Sequence, residues 1–587
     1  MSTAKELHWA DYAVVIFSLI LSVSTGIYHA LKSHFFPSTS SSKKDDYLMG
    51  GRQMPSVPVA LSLLTTFLSG ILMLGVPAEI YLRGTQIWMN FIIGVISSLI
   101  TCHVFLPVFY KMKTTCLHEY FDKRYDSLLI RRLFSLLFCF FTVSYMSIVI
   151  YAPSVALSEV LNVNKALLIV IFGISTTLYT CIGGLKAVVW ADSIQAVMMY
   201  AGVFSLLIKG ITHERVGGLG KVIDLAVDTG RFAELFRFDP TIAQYNSFWI
   251  NVFSGTVCWL ASFGVNQLAI QRYSSLPSLK QAQTIIYYTL IPFVILCSLV
   301  SSVGLVALAY YYNCDPMETG EIHDKDHIVI LFARDILQPT PGLFGLYVSC
   351  IMAATLSTLS SGMNSMSAAL YEDFLKQSYD GRLSDSQATL LSKGLVICIG
   401  VVCTLLAFAA EPLGGILRVC ISVMGALSGP MVAIFVMALF FPRSGKFSTL
   451  VSFLVANLAM IIICAFNYIE DPYKHLFLPT NTTAEGCAGL TNNSIVLRES
   501  PPYDAHYGDP ETSYLARIST YNYAGLGFCI MMIVAIPLTF FEKADRKKRY
   551  LSFWARNEEW PSNDHEMKYI IHDSSKTPLS PLLKPKA

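Results

Sequence analysis

Charge is what this sequence has least of. Only 14% of its 587 residues are Asp, Glu, Lys or Arg, against 54% hydrophobic, and the mean hydropathy is +0.53. A soluble globular chain of this length needs far more polar surface, so that class is excluded. Excess positive charge is missing too: the formal net charge is +2, without the basic face that nucleic-acid binding requires. So are the common enzyme motifs. There is no phosphate-cradling glycine loop with a lysine, no His-Glu-x-x-His and no nucleophile elbow in a soluble context. His118 and Glu119 lie in a basic loop and read as surface residues. No enzyme is expected.

Long uncharged runs are what the chain has instead. Segments such as Ile87 to Phe109 recur, each near the roughly 20 residues that cross a bilayer. They place thirteen spans near residues 10–31, 56–80, 87–110, 133–155, 165–182, 188–209, 247–270, 283–311, 342–369, 393–411, 413–441, 447–468 and 523–541. The amino terminus has no short apolar core followed by a small-residue cleavage site, so Tyr12 to Ala30 reads as a retained span.

Lysine and arginine in short loops set the orientation. One set of alternate loops carries Lys43, Lys44, Arg52, Lys111, Lys113, Lys123, Arg124, Arg131, Arg132, Arg272, Lys280, Lys376 and Arg382, and the tail adds Lys543 and Arg546 to Arg549. That set is expected to face the cytoplasm, which puts the amino terminus outside the plasma membrane and the carboxyl terminus inside. The opposite loop 469–522 carries two glycosylation sequons, at Asn481 and Asn492. Most of the fourteen cysteines fall inside spans, where packing explains them. Cys314 and Cys487 fall in outside loops, and an oxidising compartment permits a disulfide between them.

Two spans are irregular. Ala60 to Glu79 mixes Ser62, Thr65, Thr66, Ser69, Gly70, Gly75 and Pro77 into an apolar run, and Asn251 to Gln271 mixes in Ser254, Gly255, Thr256, Trp259, Ser262, Gly264, Asn266 and Gln267. Lipid offers no partner for unpaired backbone groups, so interrupted spans mark a protein-lined cavity. These are the second and seventh spans, the positions broken in transporters built from two inverted five-helix repeats. Close packing of small residues is the competing reading. Arg418, in the outer half of the eleventh span, is costly in lipid unless it faces water, a partner or an anion. It is placed to meet a solute carboxylate, to snorkel outward or to pair with Glu411.

Several strings carry a resemblance: Asp46 to Arg52 (DYLMGGR), Leu74 to Tyr81 (LGVPAEIY), Ile150 to Pro153 (IYAP), Gly183 to Asp192 (GGLKAVVWAD), Gly264 to Gln267 with Gln271 to Tyr273, and Leu356 to Thr358 with Asn364 and Ser365. Over roughly residues 10 to 545 the chain resembles the sodium:solute symporters, in particular the branch holding the sodium-dependent multivitamin, monocarboxylate and iodide transporters. The resemblance implies an all-α polytopic membrane protein with LeuT-like inverted five-helix repeats and about thirteen transmembrane helices. It divides the chain into 1–55 (outer terminus, first helix, inner loop), a ten-helix transport core at 56–441, two further helices with the glycosylated loop at 442–545, and a cytoplasmic tail at 546–587.

Carried over by position, the resemblance implies a sodium site formed by the carbonyls of Thr65, Leu68 and Ala354 and the hydroxyls of Ser357 and Thr358, with Asp192 near the sodium route. Hydroxyls bonded back to the preceding turn and an acid capping a helix are the alternatives. The substrate cavity implied is lined by Ser69, Leu72, Met73, Tyr145, Trp259, Phe263 and Ser422, with Arg418 beside them. Leu72 departs from the iodide transporter, which has glutamine there, and this argues against iodide. The expected function is sodium-coupled import of a small organic anion, either a monocarboxylate or a vitamin such as biotin or pantothenate. A sugar, polyol or inorganic-anion symporter, or a non-transporting sensor or channel, would use the same parts. The expected partners are the sodium ion, a small solute and the lipid bilayer, with no nucleic acid.

Overall fold

The computed structural model describes residues 7–35, 42–161, 163–322, 324–379, 383–410, 416–483, 485–487 and 501–542. Among the described residues every regular element is helical. The membrane helices are α1 (Trp9–Phe35), α2 (Ser56–Phe67), α3 (Gly70–Arg83), α4 (Gln86–Lys111), α5 (Leu128–Leu161), α6 (Lys165–Ile211), α7 (Phe248–Phe263) and α8 (Gln267–Ser274). They continue as α9 (Leu279–Tyr311), α10 (Leu343–Leu370), α11 (Asp385–Phe408), α12 (Ile416–Phe440), α13 (Lys446–Glu470) and α14 (Thr520–Thr539).

The α2–α3 pair bends by 56° and the α7–α8 pair by 51°, and each pair makes one broken span. The 47 residues of α6 would rise about 70 Å, over twice the ~30 Å hydrocarbon core. Its continuity is broken at Gly184, where φ is +57° and ψ −153°. Ten long apolar helices, two bent pairs and this division together make thirteen spans among the described residues.

Each break has a local cause. At Gly184 a Cβ would lie 2.5 Å from the Tyr47 carbonyl oxygen and 2.6 Å from its ring, so only glycine fits. Tyr47 Oη in turn donates to the carbonyls of Thr180 (3.3 Å) and Cys181 (3.2 Å), while Lys186 Nζ reaches Asp46 Oδ1 at 2.5 Å. The Asp46–Arg52 and Gly183–Asp192 strings thus meet as one joint. Between α2 and α3, Leu68 and Ser69 leave helical geometry, and a Cβ on Gly70 would lie 2.4 Å from Thr355 Oγ1. The span that α10 forms runs through the centre, with 89% of its most apolar window buried.

The loops divide into two groups by contact. Lys44 pairs with Glu372 at 2.9 Å, Arg52 donates to the Lys113 carbonyl at 3.0 Å and Arg124 donates to the Ala438 and Phe441 carbonyls at 3.0 and 3.1 Å. At the other end Arg83 donates to the Leu476 carbonyl (3.0 Å), and Arg231 to those of Tyr81 (2.7 Å) and Pro479 (2.9 Å). Cys314 and Cys487 are disulfide-bonded there, and Asn481 is exposed beside them. Asn492, Glu411 and the residues from 543 onward lie outside the described residues.

The bridge joins residues 173 apart, so its loss releases a long loop in the unfolded chain. Cys314→Ala/Cys487→Ala is expected to cost about 2–4 kcal/mol, measured as a lower melting temperature of purified protein. A reducing agent should reproduce the fall in the parent and leave the double variant unchanged.

Candidate functional site

Because α2 stops at Phe67, its last carbonyls have no intrahelical donor. Hydroxyls of α10 meet them: Ser357 Oγ lies 2.9 Å from the Thr65 carbonyl and Thr358 Oγ1 3.3 Å from that of Thr66. Both hydroxyls also lie near the Ala354 carbonyl one turn back, at 3.2 and 3.1 Å. Cross-helix and back-bonded geometries therefore coexist. Thr65, Ala354, Ser357 and Thr358 are brought together, and Leu68, 2% exposed, sits at the break itself. The cradle offers only oxygen atoms, the donor type suited to a hard cation such as sodium.

Asp192 is fully buried one layer further in. It accepts from Ser62 Oγ (2.5 Å) and Arg272 Nη2 (3.3 Å), while Arg272 also donates to Ser62 Oγ (2.9 Å) and to Ser361 Oγ. Ser361 Oγ lies 3.0 Å from Thr66 Oγ1, so this network abuts the oxygen cradle. Arg272, expected among the loop charges, is instead enclosed within α8 because the broken seventh span turns it inward.

Beside the cradle lies a cavity of about 150 Å³. Ser69, Leu72, Tyr145 and Trp259 line it, with Thr66, Asn90, Thr142, Ser262, Asn266, Thr520 and Tyr521 among its other walls. None of the described lining residues is charged. Trp259 Nε1 is fixed by donating to Asn90 Oδ1 and to the Asn90 carbonyl, both at 2.9 Å.

Four expected cavity residues lie elsewhere. Met73 is 2% exposed and packs in the core. Phe263 lies behind Trp259, ring centroids 5.6 Å apart, and edge-on to Phe67 at 5.0 Å. Ser422 Oγ donates to the Arg418 carbonyl on its own helix (2.8 Å). Arg418 is held away from the cavity by Asp471, Asn467 Oδ1 (2.8 Å) and the Asn467 carbonyl (3.0 Å), since a guanidinium at that depth needs close acceptors. His118 also departs from expectation: it is 1% exposed, because its loop folds inward against the end of α10, while Glu119 is partly buried and pairs with Lys123.

The wall nearest Glu79 contains residues the sequence reading left out. Tyr521 lines the cavity, and its hydroxyl lies 3.4 Å from Glu79 Oε1. Tyr245 Oη donates to the same oxygen (2.5 Å), and Arg83 Nη1 reaches both Glu79 Oε2 (3.1 Å) and Tyr245 Oη (2.6 Å). Glu79 lies within the LGVPAEIY string, but its tyrosine partners are remote in sequence, Tyr245 from the loop before α7 and Tyr521 from the start of α14. Thr520 and Tyr521 also bring the last described span into a site expected to end at residue 441.

A bilayer-spanning helical protein with two broken spans, an all-oxygen cradle at the break, and a cavity between buried polar seals has the parts of a secondary transporter. The sodium:solute symporter family matches residues 47–455. Relatives include the sodium-coupled monocarboxylate transporter 2 of Bos taurus, 34% identical over 90% of this chain and 83% of its own. The sodium-dependent multivitamin transporter of Oryctolagus cuniculus is 36% identical over 87% and 75%. The structure of a Na+-coupled sialic acid symporter, solved substrate-bound and outward-open, superposes with a TM-score of 0.73 at 20% identity, covering 91% of this chain and 98% of that one. That likeness supports the LeuT-like fold. The chain belongs to the sodium:solute symporter family. It is a multi-pass membrane symporter coupled to sodium, not an enzyme.

Removing one member of a buried ion pair leaves the other uncompensated, at a cost of about 3–5 kcal/mol. Arg272→Gln is therefore expected to lower the melting temperature sharply. Asp192→Asn/Arg272→Gln should recover part of the loss, and a double-variant loss equal to the sum of the two single-variant losses would show that the two side chains are uncoupled.

Proposed function

We propose that the protein imports a small carboxylate with sodium across the plasma membrane, with the amino terminus outside and the carboxyl terminus inside. The observation that carries the solute class is the likeness to monocarboxylate and multivitamin transporters together with the size of the cavity. At about 150 Å³ it is below the roughly 300–1,000 Å³ of drug-sized pockets. This favours a short monocarboxylate over biotin or pantothenate, whose bulk needs a wider chamber. Most of the surface that the lining exposes to the cavity is apolar, which gives little support to a sugar.

In this reading Thr65, Leu68, Ala354, Ser357 and Thr358 ligate sodium, and Asp192 lies on its inward route. The carboxylate is held by neutral groups, with Ser69, Tyr145 and Asn90 the nearest candidates in the wall. Its negative charge is balanced by sodium rather than by Arg418. Outer and inner networks open in turn, centred on Glu79–Arg83 and Asp192–Arg272, and solute and ion leave together. Each net positive charge moved inward gains about 2.3 kcal/mol per 100 mV.

Uptake of radiolabelled pyruvate, lactate, biotin and pantothenate should be compared in sodium and in choline. Pyruvate or lactate uptake is expected only in sodium, and Ser357→Ala/Thr358→Ala should reduce it at least about tenfold, the equivalent of ~1.4 kcal/mol. Absence of carboxylate uptake at normal surface expression would refute the solute class. For orientation, an endoglycosidase should shift the mobility of the parent but not of Asn481→Gln/Asn492→Gln, and a carboxyl-terminal tag should meet antibody only after permeabilisation.

A further inference from the structure

Three ligand-type side chains converge at the inner end of the bundle, apart from the sodium cradle. Cys116 and His118 belong to the loop between α4 and α5, and Asp373 follows α10. All three are at most 1% exposed. Cys116 Sγ lies 3.4 Å from His118 Nδ1 and 3.1 Å from Asp373 Oδ2, and the last two atoms are 3.6 Å apart. Zinc bonds of about 2.3 Å to sulfur and about 2.0–2.1 Å to nitrogen or oxygen, set at tetrahedral angles, require edges of about 3.3–3.6 Å. Two of the three edges fall in that range and the Cys116–Asp373 edge of 3.1 Å is slightly short of it, so the three atoms approximate one face of a zinc tetrahedron.

We propose that Cys116, His118 and Asp373 bind Zn2+ and that the bound ion brakes inward opening. The mixed sulfur, nitrogen and oxygen set favours zinc over the hard cations of the sodium cradle. Arg131 Nε holds the other carboxylate oxygen, Asp373 Oδ1, at 2.7 Å and so aims Oδ2 at the site, as outer partners of metal ligands do. Arg131 also faces Asp122 at 3.4 Å. With the thiol neutral, two carboxylates and one guanidinium leave a net charge of −1. Zn2+ replaces the Cys116 proton, which leaves to water, and the cluster becomes neutral. His118 also lines an inner cavity that shares Ser262 and Asn266 with the solute cavity. That space supplies the entry route and a water as fourth ligand.

The brake follows from what the loop holds. Leu117 N donates to Gln267 Oε1 (2.7 Å), and Gln267 Nε2 donates to the Thr115 carbonyl (2.8 Å). Gln267 opens α8, the inner half of the broken seventh span. An ion joining residues 116 and 118 to Asp373 ties that half-helix to the end of α10 and opposes their separation. This regulatory half rests on the transport reading above, whereas the metal site does not.

The test uses the full chain, without a histidine tag, beside Cys116→Ala/His118→Gln. Sodium-dependent thermal stabilisation serves as the check that both are folded. The parent should bind one zinc per chain more than the double variant, give a thiolate-to-cobalt charge-transfer band with Co2+, and gain melting temperature with zinc. Zinc on the His118 side of proteoliposomes should slow solute uptake by the parent alone. Equal zinc binding by both proteins, or a parent that responds to sodium but shows no thiolate–cobalt band, overturns the site. Zinc bound at that site with unchanged uptake overturns the brake.

Discussion

A helix that stops inside a membrane creates the constraint on which the rest depends. The carbonyls left free at the end of α2 cannot turn to lipid, so other protein groups must meet them. Ser357 and Thr358 do so, and their position requires α10 to run through the centre, flush against the break. Gly70 lets the two approach, since a side chain there would overlap Thr355. The groups that keep the break tolerable in lipid also form an oxygen-only cradle of the donor type a hard cation prefers.

The two seals apply the same logic to charge. Asp192 and Arg272 are excluded from water, and their desolvation is offset by their own pairing, by Ser62 and Ser361, and by the Leu268 carbonyl. Glu79 and Arg83 are held similarly by Tyr245 and by the Leu476 carbonyl. Such networks are stable when complete and costly when half-formed. The cavity between them carries no described charged side chain of its own.

Much of the fold was legible because bilayer crossing demands length and apolarity, which a linear reading measures directly. The division of α6 was equally visible, since no single span needs 47 residues. Ser69, Leu72, Tyr145 and Trp259 line the cavity. Arg418 and His118 did not behave as expected, and the reason is common to both. The environment of each is set by residues far along the chain, Asp471 with Asn467 for one and Asp373 for the other. The wall contributed by Thr520 and Tyr521 was hidden likewise, since nothing near them in sequence is irregular.

What the sequence determined by itself was therefore one-dimensional in origin: the spans, their interruption at the second and seventh, the family strings and the choice of sodium as coupling ion. Tertiary structure decided which polar groups face one another. It set Arg272 on Asp192, turned Arg418 outward and His118 inward, and drew the last described span into the cavity wall. The physical reason is that hydrophobic length is a sum along the chain, whereas the cost of burying a polar group depends on the partner it meets in space.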